Sequence, residues 1–166
     1  MLALQLARGL GAARIVAIDV AAERLAAARA LGADTIDAAG VSPGVAIEEL
    51  TGGGADVVLD TAGGAPAVLA QTFDIVRPGG TVAVVGVYSD LEMTIPLADL
   101  WLRGVTLRFG GTCPVPALWH DVVALVAGGT VDPAAIVSHR LPLDEAPAGY
   151  ELFASRAALK VVLEVS

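Results

Sequence analysis

Apolar residues come in short runs along this chain, each interrupted by a charged or polar residue, a glycine or a proline. Ile15-Val-Ala-Ile18 ends at Asp19, Ala55-Asp-Val-Val-Leu ends at Asp60, and Thr81 to Val87 is the most strongly apolar segment of all. Such short, largely apolar segments predict strands buried on both faces. Segments with helical spacing lie between them. Leu2 to Gly11 predicts a mostly buried helix. Residues 21–31 predict another, with Leu25, Ala28 and Leu31 inward and Glu23, Arg24 and Arg29 outward.

Further along, the pattern predicts a short strand at 34–37, helices at 45–50 and 66–76, and a turn at Arg77-Pro-Gly-Gly80. A helix at 95–103 starts at Pro96. A strand follows at 105–109, a helix at 116–127, a short strand at 137–141, a helix at 144–154 and a last strand at 159–165. Strands alternating with helices imply an α/β fold with a doubly wound parallel sheet. An acid closing a parallel strand, as Asp19 does, is placed to accept the ribose hydroxyls of an adenine nucleotide. The helix–strand–helix unit around it reads as the second half of a nucleotide-binding βαβ element.

Composition narrows the function without fixing it. The chain has 166 residues, enough for one domain with a real core. Hydrophobic residues make up 55%, yet no run reaches the roughly 18 residues of a membrane-crossing helix. Met1 to Leu10 contains Arg8 and lacks a basic leader, so no signal peptide is expected and a cytoplasmic protein is. The net charge of −8 argues against nucleic acid and anionic membranes as partners. The single cysteine, Cys113, rules out an internal disulfide and is expected to be a small buried hydrophobe. Cys113, His120 and His139 are scattered and predict no metal site. No nucleophile stands with an orienting base, so no catalytic residue is assigned.

Three stretches carry a resemblance. Leu50-Thr-Gly-Gly-Gly-Ala-Asp-Val-Val-Leu-Asp60, Val76-Arg-Pro-Gly-Gly-Thr-Val-Ala-Val-Val-Gly86 and Val137-Ser-His-Arg-Leu-Pro-Leu-Asp-Glu-Ala146 resemble, in this order, the coenzyme domain of zinc-dependent medium-chain alcohol dehydrogenases. Tyr150-Glu-Leu-Phe and Leu159-Lys-Val-Val-Leu fit the same pattern. The resemblance implies a Rossmann-type NAD-binding domain over 1–166, truncated at its N-terminus. The first strand, the Gly-x-Gly-x-x-Gly turn and the zinc-bearing catalytic domain would all precede Met1. The activity implied is reversible hydride transfer between an alcohol or aldehyde and NAD. Zinc is expected only in the other domain, and the chain by itself is expected to be inactive. A homodimer or tetramer is implied, through the edge segment 105–109.

The resemblance also implies site residues, each with a plainer reading beside it. Asp19 would take the adenosine ribose and disfavour a 2′-phosphate, or it simply caps the helix after it. Arg24 would stand beside that ribose, or it belongs to a solvated helix face. Thr61, Ala62 and Gly63 would meet the nicotinamide ribose through their backbone, or they form an ordinary turn. Val85, Gly86 and Val87 would meet the nicotinamide, Gly86 by permitting close approach, or Gly86 marks a strand end that needs no side chain. Phe109 would lie near the carboxamide. Lys160, the only lysine, would offset the pyrophosphate charge, or it is a surface lysine. Polyol dehydrogenases and quinone reductases of the same superfamily remain alternatives. So does a non-catalytic piece that only binds nucleotide or dimerises. A Rossmann-like methyltransferase is disfavoured by the tail, which lacks a closing antiparallel hairpin.

Overall fold

In a computed structural model describing residues 1–90, 92–111 and 113–165, helices and strands follow one another almost strictly. The order is α1 (Leu2–Gly9), β1 (Val16–Asp19), α2 (Ala22–Ala30), β2 (Asp34–Asp37), α3 (Pro43–Thr51), β3 (Ala55–Asp60), α4 (Pro66–Ile75) and β4 (Val76–Val84). It continues with α5 (Leu97–Leu102), β5 (Thr106–Phe109), α6 (Val115–Ala127), β6 (His139–Pro142), α7 (Ala146–Ala154) and β7 (Val161–Glu164). Every strand pairing among the described residues is parallel. The strands pair in three groups, β1-β2, β3-β4-β5 and β6-β7. Parallel strands require crossover connections, and the intervening helices supply them. The Rossmann-type α/β class expected from the sequence is the one observed.

The chain gathers into two compact units, Gly40–Pro114 and Met1–Ala39 together with the segment from Val115 onward. In the first-named unit, Leu69, Phe73, Val76, Val82, Val84 and Leu100 form a core, with Val82 fully buried. Val58, Ile95, Val105, Leu107 and the ring of Tyr88 pack against it. Arg103 fastens the end of α4, donating to the carbonyls of Phe73 and Val76 at 2.9 and 3.0 Å. A cation suits these carbonyls, which have no partner inside the helix. In the other unit, Leu25 and Ala28 of α2 are buried along with Ile36 of β2.

Several expectations change. The first strand runs Val16–Asp19 and is half-buried along its length, not buried on both faces. On β3, Val57 and Leu59 are exposed, because none of the described elements of that unit covers their side of the sheet. Arg77-Pro-Gly-Gly80 is not a turn joining helix to strand. It lies within β4 as an irregularity, since Ala55 pairs with Val76 and Val57 already pairs with Thr81. Extra residues on one strand kink it without ending the ladder. The strand then stops at Val84, so Val85–Val87 lie beyond it. Cys113 is exposed rather than buried, because it sits in the connection between β5 and α6, and such connections run over the surface. Helix α6 buries none of its residues, apolar as it is.

Candidate functional site

The unit containing β1 carries the first group of candidate residues. Asp19 ends β1, opposite Asp37 of β2. Its Oδ1 accepts from the amides of Val20 and Ala21 at 2.8 and 3.0 Å, which fixes the carboxylate at the carboxyl end of the strand. Its Oδ2 lies 3.5 Å from Nη1 of Arg24. The local amide bonds are thus present, but they occupy only one oxygen. The other faces a cation, and the side chain keeps 29% of its exposure. Arg24 pairs with Asp19 while its side chain keeps 34% of its exposure. The amine of Met1, at the start of α1, is held below its ordinary pKa. Burial is the main cause, Arg24 pushes the same way and Asp19 pushes against them.

Lys160 is exposed and stands just ahead of β7. Its backbone is pinned by Ser138, whose amide and hydroxyl both donate to the Lys160 carbonyl, at 3.0 and 3.1 Å. The Ser138 hydroxyl oxygen also accepts from the amides of Leu159 and Lys160. Its ammonium makes no ion pair among the described residues. Ser138 belongs to the Val137–Ala146 motif, but nothing in the motif singled it out.

The unit containing β3, β4 and β5 carries the second group. Thr61, Ala62 and Gly63 follow β3, Val85, Gly86 and Val87 follow β4, and Phe109 ends β5, all at the carboxyl end of one parallel sheet. The first two loops touch backbone to backbone. The Gly64 amide donates to the Val87 carbonyl at 2.9 Å, and Gly64 bridges Tyr88. A Cβ on Gly86 would collide with the Gly63 amide nitrogen and stand 2.6 Å from its Cα. Gly63 also has a positive φ of 63°, which favours glycine. So Gly86 is required by the neighbouring loop, a constraint that neither sequence reading of it contained. Val85, Val87 and Phe109 leave their side chains open to solvent, at 57%, 83% and 71% exposure. β5 is the edge strand of this three-stranded sheet.

Asp60 is the residue that sequence reasoning passed over. It is only 4% exposed, and its Oδ2 accepts the hydroxyl of Tyr88 at 2.8 Å. The Tyr88 pKa is pushed up to about 12, by burial first and then by Asp60, which accepts the hydroxyl's hydrogen bond and repels a phenolate. The only signal in sequence was an acid closing a strand, the same one that marks Asp19. No group of three His, Cys, Asp or Glu among the described residues is arranged to hold a metal ion.

The profile of the zinc-binding dehydrogenase family matches residues 1–128. The chain belongs to the zinc-binding dehydrogenase family. Its fold is close to that of alcohol dehydrogenase TADH from Thermus sp. ATN1, with 43% identity and a TM-score of 0.93 over 99% of this chain and 48% of that one. A protein from Sinorhizobium meliloti 1021, solved bound to NADP, matches with 27% identity and a TM-score of 0.79 over 98% of this chain and 47% of its own. Sorbitol dehydrogenase of Macaca fascicularis is 30% identical over 99% of this chain and 46% of its own length. The chain spans about half the length of the curated relatives it matches. No helix among its described residues is long and apolar enough to cross a membrane.

Proposed function

We propose that this chain is the coenzyme-binding portion of an NAD-dependent, alcohol dehydrogenase-like oxidoreductase. The observation that carries the reading is the Asp19 carboxylate, fixed through one oxygen by two amides at the carboxyl end of β1, with its other oxygen beside Arg24 and its side chain part-exposed. A fixed acceptor at a strand end suits a pair of ribose hydroxyls, and its charge opposes a 2′-phosphate. Lys160, with its backbone held and its ammonium unpaired among the described residues, suits a pyrophosphate. For the loops after β3 and β4, taken by themselves, the family resemblance favours backbone contacts to the nicotinamide end, with Phe109 near the carboxamide. The bound coenzyme supplies the hydride chemistry, and the chain's own residues bind and orient it.

Zinc does not fit this chain, since no metal-holding cluster stands among the described residues. Substrate activation is therefore assigned to the rest of the protein, and these 166 residues alone are proposed to bind NAD in the millimolar range and to oxidise no alcohol. The resemblance to sorbitol dehydrogenase favours a polyol as a second substrate reading. A substrate panel on the full-length protein separates simple alcohols from polyols. The coenzyme reading is tested by titrating the isotope-labelled 166-residue chain with NAD and NADP. The expected outcome is a preference for NAD that narrows several-fold in Asp19→Ala, whereas an unchanged ratio removes the ribose role from Asp19.

A further inference from the structure

Asp60 gathers five donors from two loops. Its Oδ1 accepts from the amides of Ala62 and Gly63 at 2.9 and 3.1 Å, and its Oδ2 accepts from Tyr88 at 2.8 Å. Its main-chain oxygen accepts from the amides of Val85 and Gly86, both at 2.9 Å. A turn aspartate ordinarily serves its own loop. This one also holds the loop that follows the neighbouring strand, and Tyr88 packs against the core of the unit. A charge-assisted network centred on an enclosed carboxylate rigidifies what it touches. The segments it joins, Thr61–Gly63 and Val85–Val87, are the ones assigned above to the nicotinamide end.

We propose that Asp60, acting with the Tyr88 hydroxyl, is a positioning residue that sets both loop backbones for the nicotinamide end of the coenzyme. Asp60 itself is too enclosed to touch the ligand. It acts through the amides and carbonyls whose direction it fixes, so its effect falls on the nicotinamide half of the dinucleotide and spares the adenosine half. The proposal rests on the coenzyme reading of the preceding section.

The test compares NAD with ADP, which carries the adenosine and the pyrophosphate but neither the second ribose nor the nicotinamide, on the isotope-labelled 166-residue chain. Tyr88→Phe keeps the ring in the core and removes one O–H. It should weaken NAD by about fivefold to tenfold, the factor carried by one net hydrogen bond. ADP affinity should stay within about twofold, since its contacts do not depend on that bond. Asp60→Asn retains an oxygen for the two amides and should shift the ratio in the same direction by less. It serves as the readout if Tyr88→Phe fails to fold. Equal loss for both ligands, or loss for neither, overturns the positioning role and leaves the coenzyme reading standing. So does a wild-type chain that binds ADP as well as NAD. A wild-type chain that binds neither overturns both.

Discussion

Replacing Gly86 with alanine probes the contact between the two loops most directly. Its φ lies outside the left-handed region, so the backbone itself tolerates a side chain. The obstacle is the opposing loop. The new Cβ would meet the Gly63 amide nitrogen, with Gly63 Cα at 2.6 Å and the Ala62 carbonyl carbon at 3.0 Å. Carbon atoms rest about 3.5–4.0 Å apart, so the loops must part by about 1 Å. The bond from the Gly64 amide to the Val87 carbonyl, now 2.9 Å, would then exceed hydrogen-bonding range. The bonds from Val85 and Gly86 to Asp60 would stretch with it. Two or three hydrogen bonds at about 1 kcal/mol each, plus about 1 kcal/mol of residual strain, give a loss of about 3–4 kcal/mol. For a chain of this size that lowers the melting temperature by roughly 6–16 °C. Gly53 is the matched control: nothing lies within 4 Å of its added Cβ and its φ is ordinary. Gly53→Ala should change stability by less than about 1 kcal/mol, in the stabilising direction if at all. Calorimetry on both variants decides the matter. A Gly86→Ala chain melting within about 2 °C of the parent would refute the backbone contact and the argument built on it.

Three further outcomes follow from the structure. The Tyr88 pKa rises from 10.0 when unfolded to about 12 when folded, so its contribution to stability is complete below pH 10 and is lost as pH climbs toward 12. Phenolate absorbance, read as the difference between the parent chain and Tyr88→Phe, should show Tyr88 titrating late, and a Tyr88 signal titrating near pH 10 would count against its bond to Asp60. Elemental analysis of the dialysed chain should find no stoichiometric zinc, whereas one zinc per chain would require a site that the described residues do not form. The open edge of β5 and the exposed Phe109 should drive pairing or aggregation, because an unpaired strand edge is a template for another chain. Light scattering that shows a clean monomer at high micromolar concentration would rule this out.

The pattern of apolar runs and helical spacing marked most of the strands and helices, because side-chain spacing is set by local geometry and survives without knowledge of neighbours. It also marked Asp19 and Asp60, since an acid that ends an apolar run must lie at a strand end. What distinguishes those two acids is tertiary. Asp19 stays part-exposed with one oxygen beside Arg24, while Asp60 is enclosed and bonded to Tyr88, 28 residues away in sequence. The sequence marked Gly86 as a place without a side chain but carried no sign that Gly63 is what requires it, because contacts between loops of adjacent strands have no local signature. Arg77-Pro-Gly-Gly80 has the composition of a turn, and only the ladder with β3 made it part of a strand. Burial was likewise decided by neighbours. Val57 and Leu59 are as apolar as Val58, yet they stand in water because the elements of their unit cover only the opposite side of β3.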